Sequence, residues 1–133
     1  MLNKHVDVTD AIIKAFYAVY NALGYGFSEK VYKGAMVVEL TRMDVKVLAE
    51  HPIHVYYRGV VVAEFFADLF VSDCVIVELK SVKELLDEHH AQLLNYLRST
   101  KIEVGLLVNF GPEGKFHRKS YDNHRKGSLS WTG

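Results

Sequence analysis

Apolar residues recur at helical spacing near the start of the chain. Ile12, Phe16, Val19, Tyr20 and Leu23 fall on one stripe, which predicts a first helix capped by Thr9 or Asp7 and closed by Gly24. Ser28 is a good cap for a second helix running to about Met43, with Tyr32, Met36 and Leu40 on one face and Glu29 beside them. From Val45 to Val71 the pattern changes to β-branched and aromatic residues, which predicts two long strands turning at Arg58-Gly59, with Pro52 at an edge or bulge. Ser72-Asp73 then turns the chain into an apolar strand, Cys74 to Lys80. A third helix is expected over roughly Lys83 to Ser99, a strand over Val104 to Phe110 stopped by Gly111-Pro112, and a short strand over Phe116 to Arg118. From about Tyr121 onward the sequence is polar, and a loose tail is expected. The order is that of an α/β protein, read as a single domain over residues 1–133 without repeats or an internal boundary.

Composition narrows the class without naming a function. Half of the 133 residues are hydrophobic and 24% are charged, so the chain can bury a core and is not a disordered segment. Cys74 is the single cysteine, which excludes an intrachain disulfide. The polar stretch Met1 to Asp10 lacks the apolar core of a secretory leader, and Glu64 interrupts the longest valine-rich run well short of the ~20 residues that cross a bilayer. A cytoplasmic location with no membrane span is therefore expected. Net charge is zero but uneven: from Leu97 onward seven basic residues face three acids, a balance of +4, which leaves −4 for the first 96 residues. This asymmetry fits a polyanionic partner held over an acidic site, though on charge alone a solvated surface with a basic tail is the stronger reading.

The chemistry concentrates in Val75-Ile76-Val77-Glu78-Leu79-Lys80. Side chains alternate along a strand, so Glu78 and Lys80 share one face while Leu79 faces the other layer. Asp68, from the preceding strand, can converge on Glu78 and offer a hard divalent cation the oxygen ligands it prefers. Gln92 and Tyr96 stand four apart and share a face of the third helix; Tyr96 is read equally as a core aromatic with a wet hydroxyl. Glu29 is either a site acid or an ordinary first-turn acid favoured by the helix dipole. Competing signals fail on geometry. His51 and His54 face opposite sides of a strand, His89 and His90 diverge by about 100° on a helix, and the glycines at 24 and 26 lack the rest of a phosphate-binding loop. His89 shares the helix face of Gln92 as an accessory candidate.

The string Gly26-Phe27-Ser28-Glu29-Lys30-Val31-Tyr32 resembles the signature of the GxxExxY protein family, a branch of the PD-(D/E)XK nuclease superfamily. The resemblance continues through Ala67-Asp68-Leu69-Phe70-Val71, Val77-Glu78-Leu79-Lys80, His89 to Leu97 and Val104 to Gly111, and so covers most of the chain in order. One departure is visible, in that Ala67 stands where the superfamily name has proline.

The resemblance implies a restriction-endonuclease-like fold, a central mixed β-sheet flanked by α-helices. It implies a Mg²⁺- or Mn²⁺-dependent nuclease acting on DNA, with RNA as second choice, or else a noncatalytic module of that fold binding nucleic acid or a protein partner. By position, Asp68 and Glu78 match the metal acids, Lys80 the lysine, Glu29 the helix-borne acid near the metal, and Gln92 with Tyr96 the Q-x-x-x-Y element. Lys80 is expected to position or deprotonate the attacking water, or only to stabilise the transition state. Arg98, Lys101, Arg118 and Lys119 are expected to line the phosphate backbone. A homodimer is compatible with all of this.

Overall fold

The computed structural model describes residues 4–127. Its elements are helix α1 (Val6–Leu23), helix α2 (Glu29–Arg42), strands β1 (Val47–Tyr57), β2 (Val60–Val71) and β3 (Val75–Lys80), helix α3 (Asp87–Arg98), and strands β4 (Val104–Phe110) and β5 (Gly114–Ser120), followed by a 3-10 helix at Asn123–Arg125. The five strands form one sheet in sequence order. β1, β2 and β3 pair antiparallel, β3 and β4 pair parallel, and β4 and β5 pair antiparallel. The one parallel junction needs a crossover, and α3 supplies it. The result is the expected mixed sheet flanked by helices.

β3 and β4 are the central strands, and their composition follows from that. Val75 to Leu79 and the whole of β4 are buried, as strands covered on both faces must be. On one face Leu69, Val71, Val77, Leu106, Val108 and Phe110 pack under α1 and α2, with Phe16 and Tyr32 inserted against Phe110. On the other, Phe70, Ile76 and Leu107 meet Leu93, Tyr96 and Leu97 of α3. Gly105 makes that second contact close: a Cβ there would lie 2.8 Å from Leu93 Cδ1. A larger residue there would force the Leu93 side chain to repack.

Several boundaries differ from the sequence expectation, each for a local reason. Asp7 and Thr9 lie inside α1 rather than capping it; Thr9 is buried and its hydroxyl donates to the Val6 carbonyl at 3.1 Å. α3 begins at Asp87, four residues later than expected, because residues 81–86 are drawn back over the sheet, where Asn109 exchanges two hydrogen bonds of 3.0 Å with the Val82 backbone. β5 is longer than Phe116 to Arg118, since β4 pairs with it over its whole length. Pro52 does lie on an edge strand, β1.

The stretch expected to be loose from about residue 121 is packed where it is described. Tyr121 N–H donates to the Glu103 carbonyl at 2.8 Å, and Lys126 is 5% exposed, its ammonium donating to the carbonyls of Thr100 (2.9 Å) and Ile102 (2.8 Å). Those acceptors are backbone atoms of the α3–β4 loop, invisible to a composition argument. The last six residues lie outside the described ones.

Candidate active site

The antiparallel register of β2 and β3 sets Leu69 opposite Val77, which brings Asp68 level with Glu78. Asp68 Oδ2 accepts the Leu79 N–H at 2.8 Å, tying the carboxylate to the strand that carries its partner. Lys80 follows on the same face of β3 and is half-buried. Glu78 is only 6% exposed, and its Oε1 is buried with no hydrogen-bond partner. Burial, a hydrogen bond to Asp68 and that residue's negative charge push the Glu78 carboxyl up to about 9, with Lys80 opposing. Two acids packed together with one oxygen unsatisfied leave a debt that a divalent cation would discharge, so the donor set fits a metal.

Gln92 and Tyr96 reach the same place from α3. Gln92 Nε2 donates to the Tyr96 hydroxyl at 3.1 Å, and burial together with the charge of Glu78 raises the phenol above its ordinary value. An open groove of about 600 Å³ adjoins them, walled by Val55, Tyr56, Phe65 and Arg98 besides Gln92 and Tyr96.

The residues of the glycine-bracketed turn have structural work to do. Gly26 has φ 114, open to glycine and strained for other residues. Tyr32 stacks on Phe110 at 4.2 Å, donates to the Gly24 carbonyl at 2.6 Å and accepts the Phe27 N–H at 3.3 Å. Ser81, next after Lys80, donates to the Phe27 carbonyl at 2.8 Å. The turn is thereby pinned to the end of β3, and Glu29 starts α2 beside it. Among the described residues no group of three or more His, Cys, Asp or Glu side chains converges on a metal position, so Glu29 does not complete a three-acid cluster with Asp68 and Glu78.

Sequence reasoning missed Lys33. One turn after Glu29 on α2, its ammonium lies 3.4 Å from Asp68 Oδ1 and also pairs with Glu50. Glu50 is level with Asp68 across β1 and β2 and adopts a left-handed backbone, φ 57. Burial lowers the Lys33 pKa, but Glu50 and Asp68 outweigh it and raise it overall. The i, i+4 spacing of Glu29 and Lys33 was the available signal.

The expected basic path separates into parts. Leu106 pairs with Arg118 and Gly105 with Lys119, so these two neighbours face opposite sides of β5. Arg118 lies on the α1 side, its guanidinium donating to the Lys4 carbonyl, away from the acids; Lys119 lies on the α3 side. Arg98 sits over the Tyr121 ring at 5.8 Å and lines the groove, while Lys101 is exposed beyond the end of α3. His89 Nδ1 accepts the Leu86 N–H at 3.0 Å and serves the helix start rather than the acids.

The five-stranded mixed sheet flanked by helices is a restriction-endonuclease-like fold, and two acids and a lysine lie on its adjacent strands β2 and β3. The chain belongs to the PD-(D/E)XK nuclease superfamily, whose family model matches residues 6–120. Members of this superfamily generally use divalent metal ions. Among solved structures, the crystal structure of SSO0001 is similar, with a TM-score of 0.51 and 18% identity over 71% of this chain and 50% of that one. The chain thus spans half the length of that protein, and the likeness shows the fold alone. No curated protein matches the chain. Among the described residues no helix is long and apolar enough to cross a membrane.

Proposed function

We propose that the protein is a cytoplasmic, Mg²⁺- or Mn²⁺-dependent nuclease of the GxxExxY branch, hydrolysing phosphodiester bonds in DNA. The observation that carries this reading is Glu78: a buried carboxyl beside Asp68, with one oxygen unpartnered and its proton held to about 9. A purely structural acid in that place would be expected to have found a donor.

Asp68 and Glu78 would hold the cation, and Glu29, on the first turn of α2, is the helix-borne acid proposed to assist them. When bound, such a metal neutralises phosphoryl charge and supplies an acidified water. The chain's own groups do the rest. Lys80, two residues beyond Glu78 on the same face, donates to the water or to a phosphoryl oxygen as charge builds in the transition state. Gln92 donates to the Tyr96 hydroxyl and so orients a phenol that feels the charge of Glu78. Tyr56 and Phe65 offer aromatic faces in the groove on which a base of the strand can stack. Lys33 supplies positive charge to Asp68, a contact that would compete with a cation for that carboxylate.

The same Lys33 contact favours one alternative, a noncatalytic module in which the lysine permanently satisfies Asp68 and the surface binds nucleic acid or a protein partner. Thermal melting with and without Mn²⁺, run beside a DNA cleavage assay, separates the two. The nuclease reading expects Mn²⁺ to raise Tm in wild type and not in Asp68→Ala, through binding to the native state. Identical melting of both, with no cleavage, would leave the alternative.

A further inference from the structure

Rows across the sheet connect the acidic site to a second pocket that the reaction described above does not use. Glu78 pairs with Leu107 and Leu107 with His117; Lys80 pairs with Asn109 and Asn109 with Lys115. Paired residues on a sheet share a face, so His117 and Lys115 lie on the α3 side in the same two rows as Glu78 and Lys80. Two strand spacings separate them, about 10 Å. There a cavity of about 450 Å³ opens between the start of α3 and β5, lined by His90, His117, Lys83, Lys115 and Asn109 among others. The His90 and His117 rings meet edge to face with centroids 4.7 Å apart. His90 Nδ1 is buried and has no hydrogen-bond partner.

We propose that this pocket is a second phosphate site, taking a phosphodiester adjacent to the scissile one on the same nucleic-acid strand. The proposal rests on the nuclease reading for its choice of ligand. Two imidazoles and two lysines supply donors beside two lining acids, Glu84 and Glu113, and the unpartnered His90 nitrogen is a donor-in-waiting once protonated.

The local charges set how the site responds to pH. Burial, then Lys119, then His117 hold His90 below the ordinary histidine value, with Asp87 opposing and His89 adding slightly; burial, Lys119 and Lys115 do the same to His117. Glu84 and Glu113 also line the cavity, and Glu113 lies 3.8 Å from Lys115. These surroundings disfavour the protonated form of both rings, and a bound phosphate anion would oppose them. Binding should strengthen as pH falls.

The test is an NMR titration of the histidine rings in the wild-type full chain held in chelator, so that no cleavage occurs. Three probes are compared: inorganic phosphate, a short thymidine oligonucleotide with a 5′-hydroxyl, and the same oligonucleotide 5′-phosphorylated. The 5′-hydroxyl oligonucleotide should raise the His90 and His117 midpoints by about one pH unit each, equivalent to about tenfold tighter binding for each ring protonated. His90→Gln and His117→Gln should each weaken the pH dependence of oligonucleotide binding. Unmoved midpoints, or a response confined to inorganic phosphate or the 5′-phosphorylated strand, would overturn the assignment. A chain that never cleaves DNA yet gives the histidine response would sink the hydrolase reading and leave this site standing.

Discussion

Glu78 and Lys126 are buried to almost the same degree, 6% and 5% exposed, yet the fold treats them in opposite ways. Lys126 donates to two backbone carbonyls, and burial lowers its pKa to about 8. Glu78 faces another acid, and one of its oxygens has no partner. A buried polar group with its hydrogen bonds made is a fastening; one left short has capacity for a further partner. The fastening ties the chain's last described turn to the α3–β4 loop. The shortfall sits where β2, β3 and α3 meet.

The largest effects should come from the unsatisfied side. Asp68→Ala and Glu78→Ala should each lower single-turnover DNA cleavage at least about a hundredfold, and Lys80→Ala should do the same while the Mn²⁺-induced rise in Tm persists. A folded Lys80→Ala protein cutting at the wild-type rate would remove the lysine from the chemistry and erase half of the contrast.

Lys126→Met should do the reverse, costing about 1–3 kcal/mol in denaturant unfolding because two carbonyls lose their donor, while cleavage per folded molecule stays unchanged. Its pH signature follows from the lowered pKa. Between about 8 and 10.5 the unfolded chain binds more protons than the folded one, so wild-type stability gains from this residue as pH rises through that window. The variant should lack that gain.

Glu78→Gln is expected to stabilise the metal-free protein at pH 8 and raise its Tm. Glu78 titrates at about 9 in the fold against 4.5 in the unfolded chain, so from 4.5 upward the native state holds the extra proton and stability declines as pH rises. Melting curves from pH 5 to 9 in chelator should slope downward for wild type and lie flatter for the variant. Equal slopes would mean that Glu78 is satisfied after all.

The smallest effect separates the two neighbours on β5. Lys119→Ala should reduce the slope of log DNA affinity against log salt by about one unit, whereas Arg118→Ala, on the opposite face, should leave it unchanged. An equal effect of both would place the substrate at the sheet edge instead of over the α3 face.

Much of this was legible in the chain. The run Val75 to Lys80 announced a strand buried on both faces and carrying an acid and a lysine on one side, because a period of two leaves no other arrangement. Gln92 and Tyr96 were paired by the helical repeat, and their hydrogen bond follows from it. The same local periodicities located both long strands and the first two helices.

What periodicity cannot supply is register and neighbourhood between elements far apart in sequence. Pairing of Leu69 with Val77 decided that Asp68 meets Glu78, and pairing of Leu106 with Arg118 turned that arginine away from the site. The Lys33 link to Asp68 and Glu50, the joining of His90 to His117 and the burial of Lys126 each join segments from different elements. Sequence by itself determined the elements, the faces of each strand and the residue types able to do the chemistry, since these depend on backbone geometry a few residues long. Only the tertiary structure decided which charges are satisfied and which are left waiting, because desolvation and hydrogen-bond partners are set by what packs alongside.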